Sequence, residues 1–121
     1  MKCDLKIILD KQIVVSSFSG PIKTENRYQN RDRTLSFCRE NGIFKLIVDT
    51  CGQVSHSTTM EIFAFAAELA AHATGFHIAF VRDAEGEDIG FMDNVAANRG
   101  CQCKSFFSFE EAELWLMPGE N

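Results

Sequence analysis

Three residues that could support nucleophilic chemistry follow a predicted buried strand. Asp49, Cys51 and His56 lie one, three and eight residues after the apolar run 43–48. A thiol near a helix N-terminus is acidified and a histidine can act as its base, so one interpretation is a thiol-dependent enzyme. No glycine-rich phosphate loop or paired carboxylate motif accompanies these residues in the sequence. We therefore predict a protein that is not an enzyme, in which Asp49 hydrogen-bonds the amides of a loop at 49–52.

The cysteines and histidines lack the spacing of a metal site. Cys101 and Cys103 lie two apart in a predicted strand, which directs both thiols to one face of a sheet. A zinc site usually has four ligands at recognisable spacings, and none of the histidines completes such a set. The odd number of cysteines, 5, favours reduced thiols over a disulfide framework. We predict buried core thiols, no metal and no cofactor.

A stretch rich in hydroxyl groups precedes the second predicted helix. It reads Ser55-His56-Ser57-Thr58-Thr59. Thr58 and Glu61 have the T-x-x-E spacing of a capping box, in which each side chain satisfies a free amide at the start of a helix. Considered alone, these residues predict that Thr58 is the N-cap of a helix that ends near Ala73.

The second predicted helix is apolar around most of its circumference. Within 60–73, only Glu61, Glu68 and His72 are polar. A helix that covers one face of a sheet needs an apolar arc of about 100° or somewhat more, so another surface must cover the excess. That surface is a neighbouring helix of the same chain, a partner, or an apolar ligand. The candidate ligand or interface residues are Met60, Phe63, Phe65, Phe91 and Met92.

Strand and helix signals alternate along the whole chain. β-Branched and alternating residues predict strands at 4–10 and 12–18, and Gly20-Pro21 predicts the first turn of a helix that ends at Asn41-Gly42. The almost continuous apolar run 43–48 is typical of an interior strand that is covered on both faces.

The second half of the chain continues the alternation. Ser108 and Glu111 form an S-x-x-E capping box at the start of the last helix. Before it come predicted strands at 76–81 and 101–107, with a third helix between them. The predicted fold is α/β, in the order ββαβαβαβα, with a mixed sheet of about five strands and four helices.

Composition and charge indicate one domain and argue against two classes of partner. The 121 residues fall within the usual range of about 100–200 for one domain. The net charge of −5 argues against nucleic-acid binding, and the basic residues of the first helix alternate with acidic ones, as on a solvated face. The apolar stretch 60–73 is shorter than the roughly 20 residues of a membrane span. No apolar leader opens the sequence, so we expect a cytoplasmic protein.

The chain resembles the SpoIIAA-like superfamily, which includes the STAS domains of bacterial anti-anti-sigma factors. The resemblance covers residues 43–116 most strongly and looks closest to small stand-alone bacterial members. It rests on Ile47-Val48-Asp49, Ser55–Thr59, Ile78-Ala79-Phe80-Val81, Asn98-Arg99-Gly100 and, in the last predicted helix, Glu111-Ala112 and Trp115-Leu116. It implies a single domain over 1–121 that acts as a non-catalytic regulatory or binding module.

The resemblance also implies a candidate switch. In anti-anti-sigma factors a serine at the start of the second helix is phosphorylated, typically within a D-S-S-G-like motif. The matching positions here are Ser57 and Thr58, in a stretch without the aspartate and glycine of that motif. Two functions are thus expected: binding of a small apolar ligand or lipid, a partner protein or a second copy through the second and third helices, or phospho-switched binding of a partner protein.

Overall fold

The computed structural model of the chain describes residues 2–22, 24–55, 68, 71–73, 75–81 and 102–117. In this part of the chain, five strands form one sheet in the order β1-β2-β3-β4-β5. β1 and β2 are antiparallel, whereas β2, β3, β4 and β5 are parallel. The elements are β1 (Lys2–Ile8), β2 (Ile13–Ile22), α1 (Thr24–Asn41), β3 (Lys45–Ser55), β4 (His77–Val81), β5 (Gln102–Phe106) and α2 (Phe109–Leu116). The predicted α/β class and the mixed sheet of five strands are confirmed.

β3 is an interior strand, as the apolar run predicted. It lies between β2 and β4, and its side chains alternate between the two faces of the sheet. Leu46 packs in the core on one face and Ile47 in the core on the other, and both are buried. Both faces of the strand are therefore covered, which explains why its sequence lacks a polar side.

Two hydrophobic cores lie on opposite faces of the sheet. Leu35 and Cys38 of α1 belong to the first core, together with Val14, Leu46, Ile78, Phe80 and Cys103 of the strands. Ala112 and Leu116 of α2 belong to the second, together with Ile13, Val15, Ile47, Ala79 and Val81. The single tryptophan, Trp115, packs against the second core. The sheet is thus sandwiched between α1 and α2.

The end of α1 follows the sequence prediction. Gly42 has a φ of +66°. Its N–H donates to the carbonyl of Arg39 at 3.2 Å, and the N–H of Ile43 donates to the carbonyl of Cys38 at 3.0 Å. This pair of hydrogen bonds is a Schellman motif, which satisfies helix carbonyls and requires a left-handed residue after the last helical position. Asn41-Gly42 therefore ends α1 as predicted.

The start of α1 differs from the prediction. β2 continues through Gly20 and Pro21 to Ile22, and α1 begins at Thr24. Pro21 pairs with Val54 of β3, whereas the β1–β2 ladder ends at the pair Lys2–Ser19. Proline is accepted in a strand where one side has no neighbour, because its missing N–H is then not needed for a ladder. The prediction that Gly20-Pro21 opens the helix was wrong.

The predicted loop after the central strand is also wrong. Residues 49–52 continue β3, which extends to Ser55. Between the pairs Ser17–Asp49 and Ser19–Gly52, β3 contains one residue more than β2, which is a β-bulge. The turn-forming residues Asp49-Thr50-Cys51-Gly52 therefore produce an irregularity within a strand and do not end it.

The helix number is confirmed only in part. Within the described residues, α1 and α2 are complete, and Glu68, Ala71 and His72 are helical, as expected for the end of the second predicted helix. The third predicted helix lies outside the described residues, so a total of four stays a prediction. The structure describes no helix with both the length and the apolar character that a membrane crossing demands.

Candidate functional site

The candidate residues from the sequence lie outside the described part of the chain. These are Ser57, Thr58, Met60, Phe63, Phe65, Phe91 and Met92. The structure does define the strand that precedes them, because Ser55 is the last residue of β3. The last pair between β3 and β4 is Asp49–Val81, so β3 runs six residues farther. The hydroxyl-rich stretch therefore starts beyond the carboxyl end of β4, at a point where β3 is still paired with Ile22 of β2.

A polar cluster lies between α1 and the sheet on the same face as the first core. We define it as Ser16 of β2 with Asn30, Arg31 and Thr34 of α1. Ser16, Asn30 and Thr34 are the buried polar residues of the described chain. The hydroxyls of Ser16 and Thr34 are 3.2 Å apart and share a hydrogen bond, which holds the middle of α1 to β2. Buried hydroxyl groups need such partners, because an unsatisfied one is costly.

Arg31 is the buried charge of this cluster. Its side chain is only 7% exposed. Nε and Nη2 donate to one carboxylate oxygen of Asp32 at 2.9 and 2.7 Å, and the guanidinium lies 5.0 Å from the centre of the Tyr28 ring. Nη1 lies 3.9 Å from Oε1 of Glu68, too far for a hydrogen bond. Among the described residues, Nη1 is the buried side-chain nitrogen or oxygen without a hydrogen-bond partner.

Arg31 corrects the interpretation of α1 as a helix with its basic residues in solvent. Arg33 and Arg39 are exposed as predicted, but Arg31 is not. The sequence did contain a signal. Tyr28 and Leu35, which share the buried face of α1, lie three residues before and four residues after Arg31. This spacing places Arg31 on the same face of the helix.

α1 makes a second polar contact with the helix that contains Glu68. A guanidinium nitrogen of Arg39 donates a hydrogen bond to the backbone carbonyl of His72. The guanidinium also lies 5.5 Å from the centre of the Phe76 ring, which is buried in the first core. Two arginines of α1 therefore reach toward the last turn of the second helix.

The cysteines of the described core are unsuited to nucleophilic chemistry. Cys38 and Cys103 are buried, and neither forms a disulfide bond. Burial raises the pKa of Cys38 from 9.0 to about 11, so its thiol stays protonated at neutral pH. Cys51 lies within β3, not in a loop, and His56 lies outside the described residues. The described residues include no group of three or more histidines, cysteines or carboxylates that could hold a metal.

Comparison with solved structures finds a similar fold. The chain is similar to the phosphorylated form of SpoIIAA, a Bacillus cell fate determinant, with 13% identity and a TM-score of 0.48. The match covers 92% of this chain and 96% of that chain. No protein-family model matches the chain, and no curated protein matches it at a significant level.

Proposed function

We propose that this protein is a non-catalytic, STAS-like regulatory module that binds a partner protein through the segment after β3. The order of the strands and the positions of α1 and α2, which agree with the sequence resemblance, support this proposal. A β-hairpin is followed by parallel strands in chain order, with α1 on one face and α2 on the other. One fold hosts many functions, so the proposal depends on the segment and not on the fold alone.

The observation that carries the proposal is the position of the end of β3. Ser55 lies beyond the last β3–β4 pair, at the carboxyl side of the parallel strands. Ligands of α/β sheets bind outside the carboxyl ends of the strands. Ser57 and Thr58 follow Ser55 by two and three residues in the sequence. We therefore propose that a hydroxyl group that is modified there acts at the edge of the sheet where binding is expected.

A phosphate at Ser57 or Thr58 would change the charge of this segment strongly. It adds a charge of about −1.5 to −2 at neutral pH and three acceptor oxygens. If a helix starts at Thr58, the phosphate would meet free amides and the positive end of the helix dipole. Thr58 cannot act as the N-cap and carry the phosphate without losing its capping hydroxyl. We therefore propose Ser57 as the switch position and Thr58 as the cap.

A second binding function involves the apolar surface of the second and third predicted helices. Ala73 and Phe76, at the end of the second helix and just after it, are buried in the first core. This end of the helix therefore packs on the face that α1 covers. An apolar ligand, a lipid or a second copy of the chain would bind through the remaining apolar candidates, Met60, Phe63, Phe65, Phe91 and Met92.

Phosphomimetic variants test the proposed switch. Ser57→Asp should change the set of proteins that are captured by cross-linking in extracts of the source cells, relative to Ser57→Ala. Ser36→Asp is the matched control, because Ser36 is an exposed serine on α1. If Ser57→Asp and Ser36→Asp capture the same proteins, the switch at Ser57 is wrong.

Native mass spectrometry of the protein purified from those cells distinguishes the two occupants. A phosphorylated monomer supports the switch. A retained small molecule or a dimer mass supports the apolar surface. An unmodified, ligand-free monomer that captures no partner would contradict both.

A further inference from the structure

β1 is an edge strand of the described sheet. Within that sheet it pairs with β2 alone, along its whole length from Lys2 to Ile8. Alternate residues of a strand direct their N–H and C=O groups to opposite sides, so every second residue of β1 directs these groups away from β2. Such an edge can accept a further strand, and natural sheets restrict this pairing with charged side chains on the edge.

The two faces of β1 differ in character. Ile7 packs against the first core and Ile8 against the second, so odd residues of the strand lie on the α1 face and even residues on the α2 face. Asp4 and Lys6, on the α2 face, are exposed. Leu5 lies between them on the α1 face and is half-buried. The edge therefore combines an apolar position on one face with two opposite charges on the other.

A second copy of β1 fits this edge in one antiparallel register. Two identical antiparallel strands in a continuous sheet are related by a two-fold axis perpendicular to the sheet, which passes midway between the two copies of one residue. With the axis at Asp4 or at Lys6, like charges face each other, which is destabilising. With the axis at Leu5, Asp4 of each copy faces Lys6 of the other, and the whole of Lys2–Ile8 is paired. An axis nearer either end pairs only a short part of the strand.

We propose that the edge of β1 is a homodimer interface, in which two copies of the chain pair antiparallel about Leu5 and their sheets join into one. The pairing brings opposite charges together twice on the α2 face and the two Leu5 side chains together on the α1 face. The same charges oppose the neighbouring registers. This interface is separate from the apolar surface of the second and third predicted helices, and it goes beyond the proposed function.

The dimer has a consequence that does rest on the proposed function. Because the two copies run in opposite directions, the carboxyl ends of their β3 strands lie at opposite ends of the joined sheet. β2 lies between β1 and β3, so the second copy is added on the side of β2 that faces away from β3. One dimer would therefore present a binding segment at each end and hold two partner proteins.

Exchange of the two charges tests the interface. Asp4→Lys gives positions 4 and 6 the same positive charge, and Lys6→Glu gives them the same negative charge. Each variant alone should dimerise about tenfold more weakly than wild type, because both attractive pairs become repulsive. An equimolar mixture of the two variants should restore the dimer, as a heterodimer that native mass spectrometry identifies by its mass. The double variant Asp4→Lys/Lys6→Glu should dimerise like wild type.

Lys104→Glu is the matched control. It makes the same change of charge at an exposed lysine of β5, which is the other edge strand of the described sheet, and should leave the dimer unchanged. The fluorescence of Trp115 during urea unfolding checks that each variant is folded. If Asp4→Lys does not fold, Lys6→Glu is compared with Lys6→Arg, which keeps the charge and should dimerise like wild type.

Three results would overturn the interface. The first is a wild-type protein that stays monomeric at the concentrations of an NMR sample. The second is a wild-type dimer that keeps its affinity in both single variants, as a dimer formed through the second and third predicted helices would. The third is a mixture of the two variants that forms no heterodimer. Failure of the proposed function is a separate result, because Ser57→Asp would then capture the same proteins as Ser36→Asp whatever the dimer does.

Discussion

Removal of the Ser108 cap should destabilise the protein by about 1 kcal/mol. The hydroxyl of Ser108 accepts a hydrogen bond from the N–H of Glu111 at 3.2 Å and donates one to the carboxylate of Glu111 at 3.1 Å. Ser108→Ala removes both. Caps of this kind contribute about 0.5–2 kcal/mol, and the exposed position of the carboxylate contact favours the middle of that range.

The loss of the cap should lower the stability of the whole domain, because α2 is not stable as an isolated helix. The helix has 8 residues, fewer than an isolated helix needs to be stable in water. It is held in place by Ala112 and Leu116, which are buried in the second core. A weaker cap therefore lowers the free energy of unfolding of the whole domain. We expect the melting temperature to fall by about 4 °C.

Urea unfolding at equilibrium, followed by the fluorescence of Trp115, measures this change. Trp115 lies on α2, and its ring centre is 5.8 Å from that of Phe106, so its signal reports on the docking of the helix. Ser108→Thr keeps a capping hydroxyl and should stay close to wild type. Ser36→Ala, on the exposed surface of α1, should not lower the stability, because alanine favours a helix interior. Equal unfolding free energies for Ser108→Ala and Ser36→Ala would refute the reasoning.

Three further predictions concern the cores and the end of α1. Leu116→Ala should cost about 2–5 kcal/mol, because Leu116 is buried, whereas Leu114→Ala on the exposed side of the same helix should change the unfolding free energy by less than about 0.5 kcal/mol. Gly42→Ala should cost about 1–2 kcal/mol in the same assay, because φ is +66° although no atom lies within 4 Å of the added Cβ, and Gly42→Asn should cost less. Cys38 should resist alkylation at pH 8 in the folded protein and react after unfolding, as mass spectrometry of the labelled peptide would show.

The pKa of Cys38 also predicts how stability depends on pH. The folded pKa is raised to about 11 from an ordinary value of 9.0, so the folded protein binds the thiol proton more tightly than the unfolded chain does. The contribution of this thiol to stability is therefore complete below pH 9 and is lost as the pH rises through 11. Urea unfolding at pH 8 and pH 10 should show a larger decrease for wild type than for Cys38→Ala.

Each of these predictions has a result that would contradict it. Equal effects of Leu116→Ala and Leu114→Ala would mean that α2 does not pack as described. An unchanged unfolding free energy in Gly42→Ala would mean that residue 42 does not have a left-handed conformation at the end of α1. Rapid alkylation of Cys38 in the folded protein, or the same pH dependence in Cys38→Ala, would mean that its thiol is not buried.

The sequence predicted the elements whose signals are local. Gly42 ends α1 because glycine adopts a positive φ without strain, and Ser108 starts α2 because a hydroxyl satisfies its amides. The central position of β3 followed from its apolar residues on both faces. These signals depend on residues close together in the chain, and the structure confirms them.

The wrong predictions depend on contacts between distant residues. Gly20-Pro21 resembles a helix start, but its pairing with β3 keeps it in a strand. Asp49–Gly52 resembles a turn, but the ladder with β2 converts it into a bulge. The burial of Arg31 depends on the packing of α1 against the sheet and the second helix. The mixed charges in the sequence of α1 do not indicate this packing. Of the candidate site, the sequence could indicate the hydroxyl-rich stretch, but not the polar cluster of α1.

Because β3 extends beyond β4, the number of neighbouring strands changes along its length. Residues 46–49 have neighbours on both sides, whereas residues 52–55 are paired with β2 alone in the described sheet. At about 3.3 Å per residue, Ser55 lies roughly 20 Å past the last β3–β4 pair. A two-stranded segment is much less stable by itself than one within a larger sheet. The end of β3 is therefore less stable than its start. We expect a ligand that binds at Ser57 to distort this end of the strand before it affects the core.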